Sequence, residues 1–190
     1  MTTEMRASRP RSQADWSTLK SRLAKLDGAA LLDLLHELFA RSADNRRFLA
    51  ARFDLGEPGE ALDAYRERIL AEFETSDPPR TPRIGTARKV VRDHRKAART
   101  PHADAELLLT LVEAGTRFSR EHGDMGDAYY GGLGAALRDL ADLARGDRGL
   151  RDSLASRLQQ LRDDSRRVGW SWGPFVAAVV DELYPETDAP

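Results

Sequence analysis

The chain has 190 residues, and its 30 basic and 31 acidic side chains nearly cancel to a net charge of −1. Hydrophobic residues make up 41% and cysteine is absent. That composition can bury a core within one domain or at most two very small ones, and it excludes global disorder, a uniformly basic or acidic protein, disulfide scaffolds, cysteine-based metal sites and thiol catalysis. The longest apolar run, Phe175–Val180, has six residues, far short of the ~20 needed to span a bilayer. The opening MTTEMRASRPRSQAD has no apolar stretch after its basic residues, so it does not read as a secretory signal. These features predict a cytoplasmic chain without a membrane partner.

The helical period dominates. Trp16, Leu19, Leu23 and Leu26 fall on one face of a first helix, which Gly28 is expected to stop. Asp27 can cap a second, carrying Leu31, Leu34, Leu35 and Leu38. Ser42 or Asp44 opens a short third with Phe48, Leu49 and Phe53. A turn at Gly56–Gly59 leads to a fourth, with a buried stripe of Leu62, Tyr65, Ile69 and Phe73. Residues 76–85 hold three prolines and form a break. Thr86 is the expected N-cap of a fifth helix running to about Arg99. Helices over about 102–121, 127–145 and 148–167 follow. GWSWG at 169–173 interrupts the chain before a ninth, marked by Phe175, Val176, Val179, Val180 and Leu183. Strand alternation is missing. The pattern predicts an all-α single domain of eight or nine antiparallel helices, as an irregular bundle or a short helical-repeat-like stack. It occupies 15–184, with a disordered arm over 1–14 and a frayed tail over 185–190.

Charge is unevenly spread. Residues 1–26 sum to +4, 27–79 to −6, 80–99 to +7, 100–145 to −4 and 146–190 to −2. In the basic segment Arg88, Arg92, Arg95 and Arg99 share one helical stripe, with Lys89 and Lys96 beside it. Ala87, Val90, Val91, His94, Ala97 and Ala98 form the opposite, apolar stripe. The basic stripe can be a solvated face that pairs with the acidic flanking helices. That is the favoured reading; the alternatives are that it holds nucleic-acid phosphates or an acidic protein. No aromatic residue interleaves it, which argues against a stacking platform for single strands.

Candidate chemistry is sparse. His36 and Glu37 begin like HExxH, but residue 40 is Ala, so the second ligand is missing. His94 reads as packed, and nothing gives His102 a role. In EHGDMGD, Glu121, His122, Asp124 and Asp127 are weak candidates for a divalent-cation site and match no known metal-loop spacing. The ordinary alternative is that Gly123 ends one helix and Asp124 or Asp127 caps the next. Gly131, Gly132 and Gly134 suit a close helix crossing. Trp170 and Trp172 form an interaction hot spot if exposed, and lock the last helix to the body if buried.

Five segments, in order, resemble a bacterial all-helical family known as domain of unknown function 6155. They are LAKLDGAALLDLLHELFARSADNRRFLAARF, ALDAYRERILAEF, TARKVVRDHRKAAR, LLLTLVEAGTRFSREHGDMGDAYYGGL and RDDSRRVGWSWGPF, covering about residues 19–175. The resemblance implies an α-helical cytoplasmic protein and supplies no catalytic residue or cofactor.

The sequence thus leans away from an enzyme. It favours a helical interaction module, an adapter or scaffold, binding a protein partner. The first alternative is a nucleic-acid-binding protein using Arg88, Lys89, Arg92, Arg95, Lys96 and Arg99. The second is a metal-dependent hydrolase at 121–127. A homodimer is compatible with a leftover apolar face, although no heptad seam is sustained.

Overall fold

A computed structural model describes residues 15–57, 59–74, 80–169 and 171–185. The expectations for the arm 1–14, for 75–79, for Trp170 and for 186–190 lie outside the described residues. Among the described residues the fold is all-α, with nine α-helices and no strand: α1 (Trp16–Leu23), α2 (Gly28–Arg41), α3 (Ala43–Phe53), α4 (Glu60–Leu70), α5 (Ile84–Ala97), α6 (Pro101–His122), α7 (Asp127–Gly146), α8 (Arg148–Ser165) and α9 (Trp172–Leu183). A 3-10 turn over Ala71–Phe73 prolongs α4. The chain divides into two compact units, Met1–Arg46 and Arg47–Pro190.

In the first unit α1 ends at Leu23, earlier than the apolar spacing predicts, and Leu26 lies in the turn that follows. Asp27 caps α2 by accepting from the Ala30 amide at 2.8 Å. Ser42, not Asp44, opens α3, its hydroxyl accepting from the Asn45 amide at 3.3 Å.

The second unit is built around α6. Thirteen of its 22 positions are buried, because α4, α5, α7 and α8 all contact it. α9 closes the other side, against α7 and α8. A central helix wrapped by its neighbours is a bundle, not a stack. Pro101 at the first helical position costs α6 no hydrogen bond, since that amide has no partner within the helix. Gly123, at φ 91°, ends it. Glycine also decides how closely helices cross. A Cβ on Gly115 would lie 2.5 Å from Leu133 Cδ2, and one on Gly132 would lie 2.7 Å from Ile84 Cγ2. Gly132 therefore makes the close crossing expected of its run, whereas Gly131 faces open space.

Two boundaries differ from the sequence expectation. α5 begins at Ile84, so Thr86 sits inside its first turn and is not the N-cap. The forked guanidinium of Arg83, bonded through two nitrogens to Glu72 at 3.2 Å each, holds the chain entering that helix. α7 begins at Asp127 behind Gly126, with no side-chain cap. Asp124 instead accepts from the Gly126 amide at 3.1 Å and shapes the turn.

Candidate interaction surface

α1 and α2 are amphipathic by sequence, yet neither contains a buried residue. At 100° per residue, Leu31, Leu32, Leu34, Leu35, Leu38 and Phe39 cover a continuous arc of about 160° on α2. Only Leu31 and Leu34 are half-buried. Leu32 is 67% exposed, and Leu35, Leu38 and Phe39 are exposed with it. On α1 and the following turn Trp16 is 66% exposed, alongside Leu19 and Leu26. The helix itself is well formed. Asn45 Nδ2 donates to the Leu38 carbonyl at 2.7 Å, and the Arg46 guanidinium to the Phe39 and Ala40 carbonyls at 3.3 and 3.1 Å. These side chains satisfy carbonyls that the last turn of α2 leaves open. Among the described residues the apolar side of α2 stays largely exposed.

The basic helix α5 has the two faces that its sequence predicts. Ala87, Val90, Val91, His94 and Ala97 are buried against the bundle. Half of the cationic stripe is neutralised. Arg88 donates to Asp139 of α7 at 3.1 Å, Lys89 to Asp93 of its own helix at 2.7 Å, and Arg95 to Asp104 of α6 at 2.9 Å. Arg92, Lys96 and Arg99 are exposed and carry no ion pair among the described residues. Spacings of four and three residues keep these three on one side of the helix and its end.

Asp104 is the residue that sequence reasoning missed. It is buried in the first turn of α6. One oxygen lies 2.7 Å from His94 Nδ1 and the other accepts from Arg95 Nε at 2.9 Å. The His94 ring also meets Tyr65 edge-on, with centroids 5.0 Å apart. His94 is thus packed and hydrogen-bonded, and it links three helices. A second missed cluster joins α8 to α6: Arg157 grips Glu113 through two nitrogens at 2.9 and 2.7 Å and reaches Glu106 at 2.6 Å. Its hydrogen bonds to Glu113 lead in holding the guanidinium pKa above its ordinary value, against a partial offset from burial. Both clusters join residues from separate helices, so no local motif announces them.

Trp172 is buried, and its indole N–H donates to Thr116 Oγ1 at 3.0 Å. It cannot serve as an exposed hot spot. It fixes the start of α9 to α6, stacked between Tyr130 and Phe175 with centroids 5.9 and 5.8 Å away. Tyr130 and Phe175 line a shallow cleft of about 240 Å³ with Asp127, Gly131, Gly134 and Arg138, smaller than the roughly 300–1,000 Å³ usual for small-molecule sites.

The 121–127 loop does not gather its candidate ligands. His122 stacks on Phe118 with centroids 4.2 Å apart, its Nδ1 lying 3.0 Å from the Phe118 carbonyl. Asp124 is engaged with the Gly126 amide. Among the described residues no three His, Asp or Glu side chains are placed to hold a metal ion, and no helix is long and apolar enough to cross a membrane.

No protein-family profile, curated protein or solved structure matches the chain.

Proposed function

We propose that the protein is a non-enzymatic helical interaction module of the cytoplasm, an adapter or scaffold. It takes an apolar helical surface of a protein partner on α1 and α2. The observation that carries this reading is the exposed apolar arc of α2, together with exposed Trp16 and Leu19 on α1. Monomeric proteins rarely leave such area contiguous and open without an interaction to cover it. Membership of the domain of unknown function 6155 family is part of the same proposal and rests on the order of the five segments.

The second reading, nucleic-acid binding, is favoured by Arg92, Lys96 and Arg99 alone, three exposed cations on one side of α5.

One experiment separates the two. Immobilised full-length protein is exposed to cell extract and washed at about 0.5 M salt, where exposed charge pairs are screened within a few ångströms. The first reading expects a stoichiometric protein partner that survives the wash and is lost in Leu32→Lys/Leu35→Lys/Phe39→Lys. The second is tested by fluorescence anisotropy with mixed-sequence DNA and RNA. It expects affinity that falls linearly on a log–log salt plot and vanishes in Arg92→Glu/Lys96→Glu/Arg99→Glu. A partner retained equally by the α2 variant overturns the first reading, and absence of binding at low salt overturns the second.

A further inference from the structure

The charges around the apolar surface point to one occupant. Residues 16–26 contain Lys20, Arg22 and Lys25 and no acid, a sum of +3. α2 with its cap, residues 27–41, contains Asp27, Asp33 and Glu37 against Arg41, a sum of −2. All seven side chains are exposed. None of them has an ion-pair partner among the described residues, although the two segments are consecutive in the chain. One small unit therefore presents a basic apolar segment and an acidic apolar segment.

A surface with that composition is its own complement. In a two-fold dimer the same patch serves on both subunits, so each contact is made twice. Setting α1 and its following turn in one copy against α2 of the other pairs +3 with −2 at both places. A partner of single charge sign would satisfy one helix and be repelled by the other. The area is adequate as well. Exposed fractions of Trp16, Leu19, Leu26, Leu32, Leu35, Leu38 and Phe39, at roughly 200 Å² for a fully exposed large apolar side chain, come to about 700 Å². A stable interface buries about 800 Å² on each partner once its polar rim is counted.

We infer that the partner on α1 and α2 is a second copy of this chain, held as a two-fold dimer with α1 of each subunit on α2 of the other. This inference rests on the apolar surface proposed above and adds the identity of its occupant.

Sedimentation velocity of the full-length protein from about 1 to 100 μM tests it. Two charge-reversed proteins provide the control, Lys20→Glu/Arg22→Glu/Lys25→Glu and Asp33→Lys/Glu37→Lys. Both alter exposed side chains only, and circular dichroism verifies that helicity is kept. The expected result is a dimer for the unaltered chain, at least tenfold weaker dimerisation for each variant alone, and a mixed dimer restored when the two are combined, because the reversed α1 of the first then meets the reversed α2 of the second. A monomer throughout the range, or a mixture that associates no better than its parts, overturns the inference. In that event a different protein retained from extract, and lost in the α2 leucine variant, leaves the interaction-module reading standing. Loss of both retires both.

Discussion

α2 and α6 make an instructive pair. α2 has the higher mean hydropathy. Yet α2 buries none of its 14 residues, while α6 buries thirteen. The difference is the number of neighbours. α6 is contacted by α4, α5, α7 and α8, and several of its polar side chains find partners on other helices: Asp104 in His94 and Arg95, Glu113 in Arg157, Thr116 in Trp172. α2 has short-range caps, and its apolar side stays largely exposed among the described residues. An apolar stripe therefore signals a surface that must be covered, and leaves open whether the same chain covers it.

The contrast can be broken or sharpened by substitution. The largest effect is expected at Leu137, fully buried on α7. Leu137→Ala removes contacts on every side and leaves a void, so urea denaturation followed by circular dichroism should show a loss of about 2–5 kcal/mol. A loss below about 1 kcal/mol would mean that the second unit packs no better than the first.

A smaller effect is expected at Tyr129, whose hydroxyl donates to the Gly115 carbonyl at 2.9 Å in the α6–α7 crossing. Tyr129→Phe should cost about 1 kcal/mol at neutral pH. Burial, with a lesser contribution from Tyr130, pushes the Tyr129 hydroxyl well above the ordinary tyrosine pKa. Below about pH 10 the hydroxyl is protonated in the folded and unfolded chain alike, and its contribution is complete. Above that, the unfolded chain releases the proton while the folded chain retains it, so stability falls as pH rises. Unaltered protein should therefore lose more stability than Tyr129→Phe between about pH 9 and 11, read from paired denaturation curves. Equal losses would place the hydroxyl in water.

The smallest effect belongs to Leu32. Leu32→Ala should change the stability of the dilute, monomeric chain by no more than about 0.5 kcal/mol, while weakening association in sedimentation. A cost near that of Leu137→Ala would show that α2 is covered within its own chain.

Much of the fold was legible because its signals are local. Helical spacing and Asp27 as a cap both act within a few residues. The same spacing identified the buried face of α5 from Ala87 to Ala97. The interaction surface was half legible. The leucines of α2 stood out as a helical stripe, but nothing in a stripe records whether it is covered. The basic stripe stood out too, but its sequence did not separate Arg88 and Arg95, which find acids on α7 and α6, from Arg92 and Arg99. Asp104 and Arg157 were invisible, because their partners come from helices that only the folded chain brings together. Trp172 was recognised as important with its two roles left open, and its bond to Thr116, 56 residues away, decided between them.

The end of α5 also bears on the order in which the chain comes together. The Arg52 guanidinium of α3 donates to the Lys96 carbonyl in the last turn of α5, 44 residues further on. During synthesis the donor leaves the ribosome first, so α5 meets a ready-made stop for its open carbonyl before α6 exists. A circular permutation that moved α3 behind α9 would reverse this order, and the C-terminal turn of α5 would then stay frayed until the whole chain had been made.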